Sequence, residues 1–127
     1  IMPGLAYVLA DSEQEARDKH ALLLELADEQ LCVEYLSESI GYDLTQHPSD
    51  GPIPLDTICQ ACEFPPAMVR AMLTPSVEAG KTIAEHCREY ATKPRGHAIF
   101  VGTPEQMADH IESWVDAGGC DGFTLQP

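Results

Sequence analysis

Positive charge is scarce in this chain. Seven lysines and arginines stand against 21 aspartates and glutamates, a formal net charge of −14 over 127 residues. Such a field repels phosphate backbones and anionic lipid headgroups, which argues against nucleic acid and membrane surfaces as partners. Long apolar runs are missing too, so no segment has the length needed to cross a bilayer. The first residues carry no leader-peptide pattern. The five cysteines are an odd number without framework spacing. That excludes a disulfide-stapled scaffold and predicts free thiols in a reducing cytoplasm. There is no Gly-x-Ser-x-Gly elbow, no phosphate loop, no dinucleotide-type glycine turn, no internal repeat and no low-complexity tract.

What is present is an ordinary globular composition, 44% hydrophobic, in a length that fits one domain with one core. Residues 2–9 are apolar and predict a buried strand. Ser12 and Glu15 fit a capping box that opens a helix. Ala16, Leu23, Leu24 and Ala27 recur at helical spacing, and Leu31, Tyr35, Leu36 and Ile40 continue the pattern after a break near Asp28. Gly41 is placed to stop it. The stretch from Tyr42 to Pro66 reads as irregular, with prolines at 48, 52, 54, 65 and 66. A loop of this length in a compact domain is functional, mobile or wrapped over another part.

Helical character returns over 67–79, with Pro75 expected to interrupt it and Gly80 to end it. Thr82 with Glu85 predicts a second capping box, and Pro94 to Gly96 a breaker. His97 to Val101 reads as a short strand. Thr103 is then an N-cap, Pro104 sits at the first helical position, and Gln106 completes a third box. Met107, Ala108, Ile111, Trp114 and Val115 predict one packed stripe, with Trp114 in the core. After Gly118-Gly119, residues 121–125 read as a further strand. Strand, helix and strand make a βαβ unit with parallel strands. The chain opens on Ile1-Met2-Pro3-Gly4 and closes on Leu125-Gln126-Pro127, without polar tails, which sets the expectation of a piece of something longer.

The run "GHAIFVGTPEQMADHIESWVDAGGCDGFTLQP" (96–127) resembles the C-terminal part of flavin-dependent two-component monooxygenases of the bacterial luciferase-like superfamily, in the branch of nitrilotriacetate monooxygenase component A and dibenzothiophene-sulfone monooxygenase. "PGLAYVLADSEQEARDK" (3–19) and "YLSESIGYDLTQHPSDGPIP" (35–54) are similar to segments of the same branch. The resemblance implies an α/β fold that is the C-terminal part of a (β/α)8 barrel, about strands six to eight, with a helical insertion. Three strands cannot close a barrel by themselves. The implied organisation is one partial domain, 1–127: strand and helices in 1–40, an irregular and helical insertion in 41–95, and the βαβ unit in 96–127.

The implied activity is oxygenation of a small organic substrate by O2 and reduced FMN, the flavin being supplied by a separate reductase. The isolated chain is expected to be inactive, to hold no flavin tightly, and to pair with another copy or with the missing part of the barrel. Candidate cofactor contacts are Gly102 and Thr103, where a helix N-terminus offers free N–H groups. The plainer reading makes Thr103 a helix cap. Phe123, Leu125 and Gln126 are candidates for the cleft wall. The catalytic residues are expected mostly outside this chain, and neither the substrate nor the oligomeric state follows from it.

Three other signals have plainer readings. Cys59 and Cys62 form a Cys-x-x-Cys that, with His86 and Cys87, has the ligand types for zinc, but the second pair is adjacent on a helix; no metal is expected. His97 lies at the amino end of its strand and reads as structural. His20, His47 and His110 read as exposed and without evident partners. Set beside the oxygenase is a second class, a non-enzymatic acidic α/β module docking a protein through helices 12–40 and 67–91.

Overall fold

The structure is a computed structural model and describes residues 1–93 and 97–126. The breaker at Pro94 to Gly96 and the terminal Pro127 lie outside the described residues. The chain divides into two compact units, one of Ile1–Leu26 with Lys93–Pro127, the other of Ala27–Thr92.

The first unit is an open parallel sheet with two helices. Strand β1 (Gly4–Leu9) leads into helix α1 (Glu13–Leu26). Strand β2 (Ala98–Gly102), helix α6 (Pro104–Asp116) and strand β3 (Thr124–Gln126) form the returning half. The order is β2-β1-β3, all parallel. Leu5 to Leu9 run level with Ala98 to Gly102, and Gly4 to Ala6 with Thr124 to Gln126. This differs from the order expected of consecutive barrel strands, in which the strand at 97–101 would lie in the middle. The middle place goes to β1, whose Leu5, Ala6 and Val8 are buried.

β3 is also shorter and later than the expected 121–125. Gly122, at φ 157°, turns the chain just ahead of it, and the ladder begins at Thr124. At Ser12 one half of the predicted box forms, the Glu15 amide donating to the Ser12 hydroxyl at 3.2 Å; the box at Thr103 is complete. Thr103 Oγ1 accepts from the Gln106 amide at 3.3 Å, while Gln106 Oε1 accepts from the Thr103 amide at 3.0 Å. The predicted packed stripe does not form. Met107 is the only residue recorded as buried on α6, and Trp114 is 46% exposed. Ala16 alone is buried on α1, where Leu22, Leu23 and Leu26 are exposed. Helical periodicity marks a side that can be covered; three strands and two helices do not supply the cover.

The second unit is helical and has its own core. α2 (Glu29–Ile40) starts at Asp28, whose carboxylate accepts from the Leu31 amide, and ends at Gly41 in the left-handed conformation, φ 63°. Both agree with the expected break and stop. A 3-10 turn (Leu44–Gln46) follows. α3 (Leu55–Ala61) lies inside the stretch expected to be irregular. The signal was there: Leu55, Ile58, Cys59 and Cys62 keep helical spacing, but the prolines on either side hid it.

α4 (Pro66–Glu78) runs on through Pro75 instead of breaking. Pro75 falls near its end, where its missing N–H costs one hydrogen bond, and its carbonyl still accepts from Ala79. Gly80, at φ 69°, ends the segment. α5 (Ile83–Ala91) opens with both halves of the Thr82–Glu85 box. The proline-rich loop is tied to that end: Ala84 N donates to Ser49 O at 2.8 Å, and Ile83 N to Gly51 O at 3.0 Å. The core joins Leu36, Ile40, Ile58, Val69, Leu73 and Ile83, each at most 2% exposed.

Candidate functional site

In parallel α/β sheets, ligands gather beyond the carboxyl ends of the strands. Here that end is formed by Leu9, Gly102 and the start of α6. Gly102 is buried and level with Leu9, and its carbonyl accepts from Ala10 N at 3.3 Å. A Cβ at Gly102 would meet Gln106 Oε1 at 2.6 Å and the Phe100 ring at 3.0 Å. The bare Cα is therefore what lets the Gln106 carboxamide fold back over the strand end.

Gln106 Nε2 in turn donates to Glu13 Oε2 at 3.3 Å, and Arg17 pairs with the other Glu13 oxygen. The Gln106 hydrogen bond, and then Arg17, hold the Glu13 carboxyl below its ordinary value. Lys19 Nζ donates to Leu9 O at 2.9 Å. A shallow groove of about 460 Å³ runs beside this end, past Glu13, Gln106, Asp109 and His110.

These contacts test whether Gly102 and Thr103 suit the phosphate of a flavin, and they do not fit it. The amides of Thr103 and Gln106 are already taken by the capping box. Pro104 has no N–H. The carboxylate of Glu13 lies against the cap, and Glu105 is in the first turn. Two negative charges and two occupied donors oppose a dianion.

The cleft-wall residues do not gather with this pair. Phe123 precedes β3, at the amino end of the sheet. There it packs against Trp114 with ring centroids 6.2 Å apart and against His110 at 6.5 Å. Leu125 is level with Leu5, whereas Gly102 is level with Leu9. That is four residues, or about 13 Å, along the strand direction. Leu125 is 48% exposed and Gln126 partly so.

Several histidines have partners that the sequence reading did not assign. His110 sits among Phe100, Trp114 and Phe123. His47 Nε2 shares a 2.8 Å hydrogen bond with the Tyr42 hydroxyl. His86 is buried, with Nδ1 2.6 Å from Ser76 Oγ. His97 lies against Gly4, where a Cβ would come within 2.6 Å of its ring. A second open groove, of about 580 Å³, is lined in the helical unit by Glu34, Glu38, Asp43 and Glu63 with Tyr42.

The thiols of the Cys-x-x-Cys face main-chain oxygens. Cys59 Sγ is 3.8 Å from Pro66 O, and Cys62 Sγ 3.3 Å from Phe64 O. Burial pushes the Cys87 thiol up to about 12, the opposite of what a thiolate ligand needs. Among the described residues no three His, Cys, Asp or Glu side chains are grouped to hold a metal. Nor is any helix long and apolar enough to cross a membrane.

The open parallel α/β architecture has counterparts among flavin-dependent monooxygenases. Over its whole length the chain is 37% identical to the N-acetyl-S-(2-succino)cysteine monooxygenase of Bacillus subtilis (strain 168), of which it spans 29%. It is 28% identical, again over its whole length, to nitrilotriacetate monooxygenase component A of Aminobacter aminovorans, spanning 28% of that protein. The crystal structure of DmoA from Hyphomicrobium sulfonivorans matches 98% of the chain and 25% of its own, with a TM-score of 0.70 and 29% identity. No family model matches. The chain is homologous to a part of the luciferase-like flavin monooxygenase family. It spans a little over a quarter of the length of the curated relatives it matches.

Proposed function

We propose that the chain is the C-terminal portion of a two-component, FMNH2-dependent monooxygenase that oxygenates a small organic substrate. The observation that carries this reading is end-to-end similarity to a monooxygenase of which the chain spans 29%. The two open edges of the sheet and the exposed leucines of α1 support it, because both are surfaces that further strands and helices would cover.

When bound, reduced FMN supplies the electrons that activate O2, and a separate reductase delivers it. The residues at Gly102 and Thr103 do not suit its phosphate, so flavin binding falls to the rest of the protein. This chain's part is to close the wall: the Glu13–Gln106–Thr103 contacts fix the carboxyl end of β2, and Leu125 and Gln126 offer side chains toward the remaining strands. By itself the chain is inactive.

The other reading, a non-enzymatic interaction module, draws on one observation: the helical unit has a complete core of its own and an acid-lined groove. One experiment separates the two. The chain replaces the matching segment of the Bacillus subtilis relative, and the chimera is assayed with an FMN reductase on that enzyme's substrate. Oxygenation supports the proposal. A chimera that folds but neither binds reduced FMN nor oxygenates sinks it.

A further inference from the structure

Two thiols meet at the end of α3, outside the contacts at the carboxyl end of the sheet. Cys59 lies in the last turn of α3. Cys62 caps that helix, its amide donating to Ile58 O at 2.8 Å. Three residues of helix rise about 4.5 Å and come most of the way around, which leaves the two Cα atoms roughly 5 Å apart. Disulfides span about 4.4–6.8 Å between Cα atoms. We propose that Cys59 and Cys62 are a peroxide-sensitive dithiol, in which Cys62 is oxidised first and Cys59 closes the disulfide.

Four observations carry it. Both side chains are free thiols that face the turn joining α3 to α4: Cys62 Sγ donates to Phe64 O at 3.3 Å and Cys59 Sγ to Pro66 O at 3.8 Å. Cys62 Sγ also lies 3.9 Å from Cys59 O, so it folds back over the residue it would join. Exposure runs in the order the reaction needs. Cys62 is half-buried between exposed Ala61 and Glu63, whereas Cys59 is 8% exposed and belongs to the core with Ile58 and Val69. A small oxidant arriving from solvent therefore meets Cys62 first. A cation stands by the pair: Arg70, on α4, bonds Asp56 at 2.8 Å, and its guanidinium is held charged by Asp56 and then by Cys59. A cation beside a cysteine favours the thiolate, the form that attacks sulfur. By contrast Cys32, Cys87 and Cys120 are buried, and burial pushes the Cys32 and Cys87 thiols up.

The electrons balance with a hydroperoxide as the oxidant. The Cys62 sulfur attacks one peroxide oxygen, the O–O bond breaks, and the other oxygen leaves as an alcohol, or as water from hydrogen peroxide. Cys62 is then a sulfenic acid. The Cys59 sulfur attacks the Cys62 sulfur, the S–S bond forms, and the hydroxyl leaves as water with the Cys59 proton. The dithiol has lost two electrons and two protons, and the peroxide has gained them. Phe64 O and Pro66 O lose their S–H donors in the same step. Oxidation thus acts on the turn that carries Glu63 into the acid-lined groove.

The test treats the chain with one equivalent of hydrogen peroxide at neutral pH, after circular dichroism has shown it folded. Remaining thiols are blocked, and proteases cutting before Asp56 and after Glu63 release the two cysteines on one peptide, apart from the other three. The expected peptide is lighter by two hydrogens and is restored by dithiothreitol. Cys62 should be consumed about tenfold faster than Cys87, and the preference should vanish in urea. In Cys59→Ser, dimedone should trap a sulfenic acid at Cys62. In Cys62→Ser, oxidation of Cys59 should slow about tenfold. A link of Cys32 to Cys87 in its place, equal consumption of Cys62 and Cys87 in the folded chain, or a preference that survives urea overturns the proposal. So does a folded Cys59→Ser chain with no acid to trap, or a Cys62→Ser chain that reacts at the unsubstituted rate.

Discussion

Leucine supplies a direct test of where this chain is held together. Leu36, on α2, is 1% exposed and packs with Leu44, Ile53, Ile58, Leu73 and Ile83 around a narrow gap with no room for a water. Leu26, at the end of α1, is 71% exposed. Truncating Leu36 to alanine removes three carbons from a site whose neighbours come from five other segments, so collapse around the hole is limited. Buried Leu→Ala changes cost about 2.7–5 kcal/mol, rising with the cavity left behind. The existing gap adds to that cavity, and the upper half of the range is expected. Leu26→Ala loses no packing and should stay within about 0.5 kcal/mol. Urea unfolding followed by far-ultraviolet circular dichroism gives both values. Hydrogen exchange should place the Leu36→Ala loss in 27–92. A Leu36→Ala cost below about 1 kcal/mol, or a Leu26→Ala cost to match it, would refute the division into a packed helical unit and an under-covered sheet.

Other outcomes follow from single contacts. Gly102→Ala pushes the Gln106 carboxamide off the strand end and should cost about 1 kcal/mol, the worth of a helix cap; in Gln106→Ala the same change should cost measurably less, and additive costs in a double-mutant cycle would contradict the folded-back Gln106. Cys87, pushed up to about 12 by burial, holds its proton in the folded state long after an unfolded thiol has lost it. Its contribution is complete below about pH 8.5 and drains away as pH rises toward 12, so alkaline stability should improve in Cys87→Ser or Cys87→Ala relative to the loss at neutral pH. Under native conditions a thiol reagent should label half-buried Cys62 ahead of Cys87, and simultaneous labelling would tell against it. The Glu13 carboxyl is lowered by Gln106 and Arg17, so its contribution is present above about pH 4.3 and is lost as pH falls through the lower folded value; Glu13→Gln should flatten that acid limb in a pH series of melting temperatures.

Much of the secondary structure was legible because its signals are local. The Thr82–Glu85 and Thr103–Gln106 boxes and the Gly41 and Gly80 stops each need only three or four residues, and they formed as read. α3 was missed because Pro54 and Pro65 framed it, and Pro75 misled because a proline's effect depends on how much helix remains beyond it. The burial of Trp114 was misjudged for a different reason. A stripe at helical spacing tells which side of α6 can be covered, and only the rest of the fold tells whether anything covers it. The site was less legible. The closing of Gly102 by Gln106 and Glu13 joins α1 to α6 across more than ninety residues, and the His110 cluster joins α6 to the middle of β2 and to the residue before β3. The family resemblance, by contrast, rested on the order of quoted segments along the chain and needed no contact geometry.

The central claim, that this chain is one part of a flavin enzyme and holds no flavin site by itself, is tested most directly by an anaerobic titration with reduced FMN. The isolated chain and the Bacillus subtilis chimera are compared side by side, with flavin absorbance and fluorescence as the signal. The account predicts one saturable site in the chimera and none in the isolated chain up to millimolar flavin. Tight binding by the isolated chain, or none by a folded chimera, would contradict it.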